Sequence, residues 1–154
     1  MSYISELRAR VGTRPLILPG AAVIVVDPSG RVLLMERADT GGWGLPGGFM
    51  DPGESLEETA RREVMEEVGL EVDELKLMNV FSGPEQYYRY PNGDQVFNLT
   101  AVYTATARDW SHLKRDPSEV SEARLFATSE FPADLIAPEV PILEHYSRFA
   151  SVSR

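Results

Sequence analysis

Three glutamates on one helix face constrain this chain more than any other feature. At 100° per residue, Glu63, Glu66 and Glu67 occupy an arc of about 100°, beside an apolar stripe of Leu56, Ala60, Val64, Met65 and Val68. Ser55 and Glu58 have the spacing of a capping box, and Gly69 stands where a C-terminal glycine belongs, so a helix is predicted over 55–68. Like charges at i,i+3 and i,i+4 repel by a few tenths of a kcal/mol per pair. Such a helix needs burial on its apolar side and counter-charge on its acidic side. Arg61 and Arg62 supply part of that charge, and Arg62 is spaced to pair with Glu58 or Glu66. Read alone, the face is either a solvated acidic surface or a seat for a hard divalent cation, of which Mg²⁺ best suits a few carboxylates combined with substrate phosphates.

The remainder of the chain surrounds this helix with strands. Ile4, Leu7 and Val11 predict a short amphipathic helix over 3–11. Residues 16–27 read as an apolar strand broken at Pro19-Gly20, followed by a turn at 27–30 and a returning strand over 31–36. Five glycines and one proline within 38–48 predict a loop or irregular strand whose backbone passes close to something. Further strands are predicted at 75–81, 95–107 and 123–127, with a polar loop over 108–121 and a closing helix containing Ile142, Leu143, Tyr146 and Phe149. In 154 residues with no repeat or linker, this mixture predicts one domain of the α/β or α+β sandwich type.

Charge and cysteine content narrow the function classes. There are 24 acidic and 15 basic residues, a net charge of −9. That balance argues against a nucleic-acid polymer or an anionic membrane as partner. Seven of the acids and only two bases fall within 48–70, so more than half of the net charge belongs to one helix and its entry loop. The absence of cysteine excludes disulfides, thiolate metal sites and cysteine nucleophiles. With no long apolar run and no basic-then-apolar N-terminus, a cytoplasmic protein is expected.

Residues 48–70 also carry a pattern. They run Gly48, five residues, Glu54, seven residues, Arg62-Glu63, an aliphatic, any residue, Glu66-Glu67, any residue, Gly69 and an aliphatic. This resembles the Nudix box at all nine specified positions, and Trp43-Gly44-Leu45-Pro46-Gly47 resembles its usual approach. The resemblance implies an α/β/α sandwich with a mixed central β-sheet. It also implies hydrolysis of a nucleoside diphosphate linked to another moiety, dependent on Mg²⁺ or Mn²⁺. Carried over by position, Glu63, Glu66, Glu67 and the Gly48 carbonyl would hold metal, while Glu54 would brace Arg62 and the loop. The catalytic set would be Glu63, Glu119 and Arg62, the general base being either Glu63 or a later-loop glutamate. Glu119 is preferred there over Glu122, which directly precedes a strand.

For substrate contacts we single out Arg37, facing the glycine-rich loop, and the cluster Tyr87, Tyr88, Arg89 and Tyr90. Tyrosines 17 or 18 residues beyond the box accompany diadenosine polyphosphate hydrolases, whereas Pro84 lies near but not at the ADP-ribose hydrolase position. Diadenosine polyphosphates, ADP-ribose and nucleoside triphosphates are therefore the candidate substrates. A non-hydrolytic nucleotide-sensing module is the alternative, and isopentenyl diphosphate isomerase-like chemistry, which needs a catalytic cysteine, is excluded for want of one. His112 and His145 lack partner spacing and read as structural. The N-terminal helix and first strands offer a surface for a homodimer.

Overall fold

The computed structural model describes residues 2–152. Eight strands and three helices follow in the order α1 (Tyr3–Val11), β1 (Leu16–Val26), β2 (Val32–Arg37), β3 (Trp43–Gly44), β4 (Gly47–Phe49), α2 (Leu56–Val68), β5 (Lys76–Phe81), β6 (Tyr87–Arg89), β7 (Gln95–Thr106), β8 (Val120–Phe126) and α3 (Glu139–Val152). The sheet runs β3-β2-β1-β7-β5, with β8 added to β2, β6 to β7 and β4 to β1. It is mixed: β1 and β7 are parallel from Leu16↔Val96 to Val26↔Thr106, and the other strand pairings are antiparallel.

A strand covered on both faces is apolar on both, which explains the run Ala21–Val25. Ala21, Val23 and Val25 pack with Ala60, Val64 and Val68 of α2. Ala22 and Ile24 pack with Ile142, Leu143 and Tyr146 of α3. The result is the α/β/α sandwich that the resemblance implies. No helix among the described residues is long and apolar enough to cross a membrane.

Two strand expectations are corrected. First, β1 runs straight through Pro19-Gly20. Within a strand, a residue's N–H and C=O point to the same side, and the Pro19 carbonyl accepts from Met50 N on the β4 side. The N–H that proline lacks is therefore missing from that side, and the β7 ladder is unaffected. Gly20 is required by proximity: a Cβ there would collide with the Gly48 carbonyl oxygen and lie 3.3 Å from Phe49 Cα. Second, β8 begins at Val120, because a bulge at Glu36/Arg37 extends its pairing with β2 to Arg37↔Val120.

The edge of β1 opposite β7 is shared by two partners. β4 takes Gly20 to Ala22, and β2 takes Val26. A cleft of about 450 Å³ lies at this fork, lined by parts of β1, β2, β4 and β7 and by α2.

Candidate active site

The acidic helix is held as its sequence predicts. Ser55 Oγ accepts from Glu58 N (3.1 Å), and Glu58 Oε1 accepts from Ser55 N (3.2 Å). Gly69, at φ 70°, ends the helix by donating its N–H to Met65 O. With Ala60, Val64 and Val68 fully buried, Glu63 and Glu67 are carried into the cleft wall.

Glu67 is only 4% exposed and accepts from Gly47 N at 2.8 Å. Burial, followed by the charges of Glu63 and Glu119, pushes its pKa up to about 9 against the help of that N–H. Burial also raises Glu63, with Arg62 opposing and the charges of Glu66 and Glu119 adding to the rise. Glu66 is exposed and meets Arg62 Nη1 at 3.4 Å. Gly48 is close to the acids because it has no side chain: a Cβ would lie 2.6 Å from the Glu63 carboxylate carbon.

Arg62 does not pair with Glu58, whose carboxylate is committed to the helix cap. Its Nε and Nη2 instead grip Glu54 at 2.6 and 2.9 Å, while Nη1 reaches Glu63 at 2.9 Å and Nη2 reaches Phe49 O at 3.2 Å. Glu54 also accepts from Asp51 N and Thr59 Oγ1. The arginine, with these donors, overcomes the effect of burial and lowers the Glu54 pKa to about 2. A carboxylate whose folded pKa is depressed stabilises the fold above its unfolded value, near 4.5, and that stability is lost as pH falls toward 2. Replacing Arg62 with Met, which keeps an apolar stem, is expected to lower the melting temperature at neutral pH. The deficit should shrink steadily as pH falls from about 4.5. A deficit independent of pH in calorimetric scans would refute the strut.

Glu119 is delivered to the same wall by a loop tied to the end of α2. Lys114 N donates to Val68 O, and Asp116 N donates to Glu67 O, both at 2.9 Å. Glu119 lines the cleft, whereas Glu122 lies on the exposed part of β8 and bonds Arg124. Arg37 lines the same cleft, held by both oxygens of Asp39 at 3.0 Å. Burial alone would lower its pKa, but Asp39 outweighs burial and keeps it cationic.

The tyrosine cluster divides. Tyr90 lines the cleft and Tyr88 an adjoining recess, the two rings meeting edge to face at 4.9 Å. Tyr87 packs on Phe97 and bonds Gln95, and Arg89 is exposed on β6, so neither lines the cleft. Sequence reasoning missed Gln86, Asn98, Thr100 and Glu139, which also border this space. Glu139 carried no signal, since an acid in a helix's first turn is ordinary.

Among the described residues no three acidic or histidine side chains already converge as a ready metal cage. The donor set nevertheless suits a hard cation: the site offers oxygen donors, and Glu63 and Glu67 are destabilised as anions by burial and mutual repulsion, which a cation would relieve.

This fold and this acid-walled cleft define the class. The chain belongs to the Nudix family, the NUDIX domain model matching residues 17–146. It is 46% identical over 66 residues to the putative 8-oxo-dGTP diphosphatase of Bacillus subtilis, covering 43% of this chain and 44% of that protein. The chain thus spans less than half the length of that relative. It is 31% identical over 133 residues to the RNA pyrophosphohydrolase of Erythrobacter litoralis, covering 77% and 80% of the two chains. The crystal structure of a MutT NUDIX hydrolase from Burkholderia pseudomallei superposes with a TM-score of 0.70 at 27% identity, over 84% of this chain and 98% of that one.

Proposed function

We propose that the protein hydrolyses the phosphoanhydride bond of a nucleoside diphosphate linked to another moiety, with Mg²⁺ as the working cation and Mn²⁺ as its substitute. The observation that carries this reading is the gathering of Glu63, Glu67 and Glu119, whose charges act on one another, in one cleft that also holds a cationic arginine, Arg37, and an aromatic ring, Tyr90. Glu63, Glu66 and Glu67, with the Gly48 carbonyl, would hold the cation, and its bound form supplies charge screening for the pyrophosphate and acidity for the attacking water. Arg62 fixes Glu63 in place, Arg37 meets the phosphates, and Tyr90 with Tyr88 packs against the base. Glu119 accepts the proton of the attacking water as the oxygen–phosphorus bond forms and the phosphate leaving group departs. The reading makes the protein a single-domain cytoplasmic enzyme of soluble nucleotides. Its self-association surface would lie about α1 and the exposed Ile17.

A panel of ADP-ribose, diadenosine polyphosphates and nucleoside triphosphates with Mg²⁺ or Mn²⁺ tests the reading. At least one member should be turned over, and Glu119→Gln should lower kcat for it by about a hundredfold or more with KM little changed. Nucleotide binding without any turnover would favour the sensor alternative. An unchanged kcat in Glu119→Gln would transfer the base to Glu63.

A further inference from the structure

Beyond the acidic end, the cleft continues into a recess of about 100 Å³. The two share eight lining residues, among them Arg37, Tyr90, Asn98, Thr100 and Glu139, so they form one space, but Glu63, Glu67 and Glu119 belong to the cleft alone. Two buried acceptors at the recess have no donor among the described residues: Glu139 Oε2 and Gln86 Oε1. Gln86 is 1% exposed, and its Nε2 donates to Pro138 O at 2.9 Å, which fixes its oxygen as an acceptor beside Glu139. Glu139 is part-exposed as a residue, yet its Oε2 is buried, and its Oε1 takes only a long 3.3 Å bond from Leu45 N.

Buried acceptors are almost always satisfied, and two orphans bordering one recess mark a place where donors belong to something else. Burial raises the Glu139 pKa to about 7, against Leu45 N–H and Arg37, so a ligand bearing donors would favour its ionised form. The other walls combine apolar (Met35, Leu45, Ile142) and aromatic (Tyr88, Tyr90) side chains, which suit a flat heteroaromatic ring. They also include Thr100, Arg37, whose guanidinium is held by Asp39, and Asn98, whose Nδ2 donates to Gln86 O.

We propose that Glu139 and Gln86 form a base-reading subsite that selects a purine presenting adjacent N–H donors, the guanine type of edge. The proposal rests on the nucleotide reading above. A guanine edge offers N1–H and the 2-amino group side by side to these acceptors. An adenine edge offers its amino group next to a ring-nitrogen lone pair, which would face an acceptor across the recess. Sugar and phosphates then extend into the larger cleft toward Arg37 and the acids.

Calorimetric binding of GMP, dGMP and AMP without metal isolates this subsite from catalysis. The wild-type protein should bind GMP at least tenfold more tightly than AMP and should not distinguish GMP from dGMP. In Glu139→Gln the preference should fall below threefold, since the new amide presents a donor beside its acceptor. Gln86→Met, of similar volume, should reduce the preference independently should the first variant fail to fold. Equal affinity of the wild type for GMP and AMP overturns the proposal, as does a preference that survives both substitutions. A large gap between GMP and dGMP overturns it too, by assigning the acceptors to the ribose hydroxyls. Base discrimination without turnover of any nucleotide would count against the hydrolase reading while leaving the subsite intact.

Discussion

Glu67→Gln and Glu63→Gln are each expected to reduce Mg²⁺-supported hydrolysis by on the order of a thousandfold while leaving the chain folded. In the proposed site each of these carboxylates would be a charged ligand, whose loss forfeits several kcal/mol of transition-state stabilisation, and about 4 kcal/mol corresponds to that factor. The fold survives because neither carboxylate holds it together in the metal-free protein. Burial and the neighbouring acids raise the pKa of Glu67 from 4.5 to about 9, so the folded chain retains a proton that the unfolded chain releases. The metal-free protein therefore loses stability as pH rises from about 4.5 toward 9, in the direction opposite to the Glu54 contribution. Glutamine removes that penalty and still accepts from Gly47 N. Metal-free Glu67→Gln should melt above the wild type at about pH 8, and the gap should close near pH 4.5. Turnover within tenfold of wild type in both variants would remove these residues from the site.

Gly20→Ala is the second large effect expected, although Gly20 lies outside the acidic helix and its loop. The new Cβ would strike the Gly48 carbonyl oxygen, with the carbonyl carbon at 3.1 Å and Phe49 Cα at 3.3 Å. These are backbone atoms, so no rotamer change relieves the contact. β4 would have to separate from β1, breaking the pairing at Gly20↔Phe49 and Ala21↔Gly48. Overpacking of this kind costs about 1–3 kcal/mol, or a fall of roughly 3–10 °C in melting temperature at this chain length. Gly48 abuts Glu63, so displacement of β4 carries into the site, and kcat should fall at least tenfold. A variant with wild-type melting temperature and turnover would show that β4 does not set the position of Glu63.

Legibility followed the range of the interactions. The helix over 56–68 was readable because its cap, apolar stripe and terminal glycine each act within a turn or two of chain. Its three carboxylates were readable for the same reason, since their common face follows from helical period alone. Arg62 was only half legible. Its neighbourhood with Glu66 follows from spacing and its brace to Glu54, eight residues away, from the family pattern, but the withdrawal of Glu58 by the cap shows only in the fold. The passage of β1 through Pro19 was hidden because a proline's cost depends on which side of the strand its missing N–H faces. That side is set by a partner about 30 residues away.

The sequence by itself determined the acidic helix, its concentration of negative charge and the family pattern in which both lie, all of them properties of neighbours along the chain. It also identified the glycine-rich approach as a place of close backbone contact, without saying against what. Tertiary structure decided that the contact is Gly20 and Ala22 of β1, that Glu119 shares a cleft with Glu63 and Glu67 and adds its charge to theirs, and that Tyr90 lines the cleft while Tyr87 does not. It alone brought Gln86 and Glu139 together at one recess. The reason is that the cleft opens where β4 and β2 divide one edge of β1, and strand pairing between residues distant in sequence leaves no periodic trace along the chain.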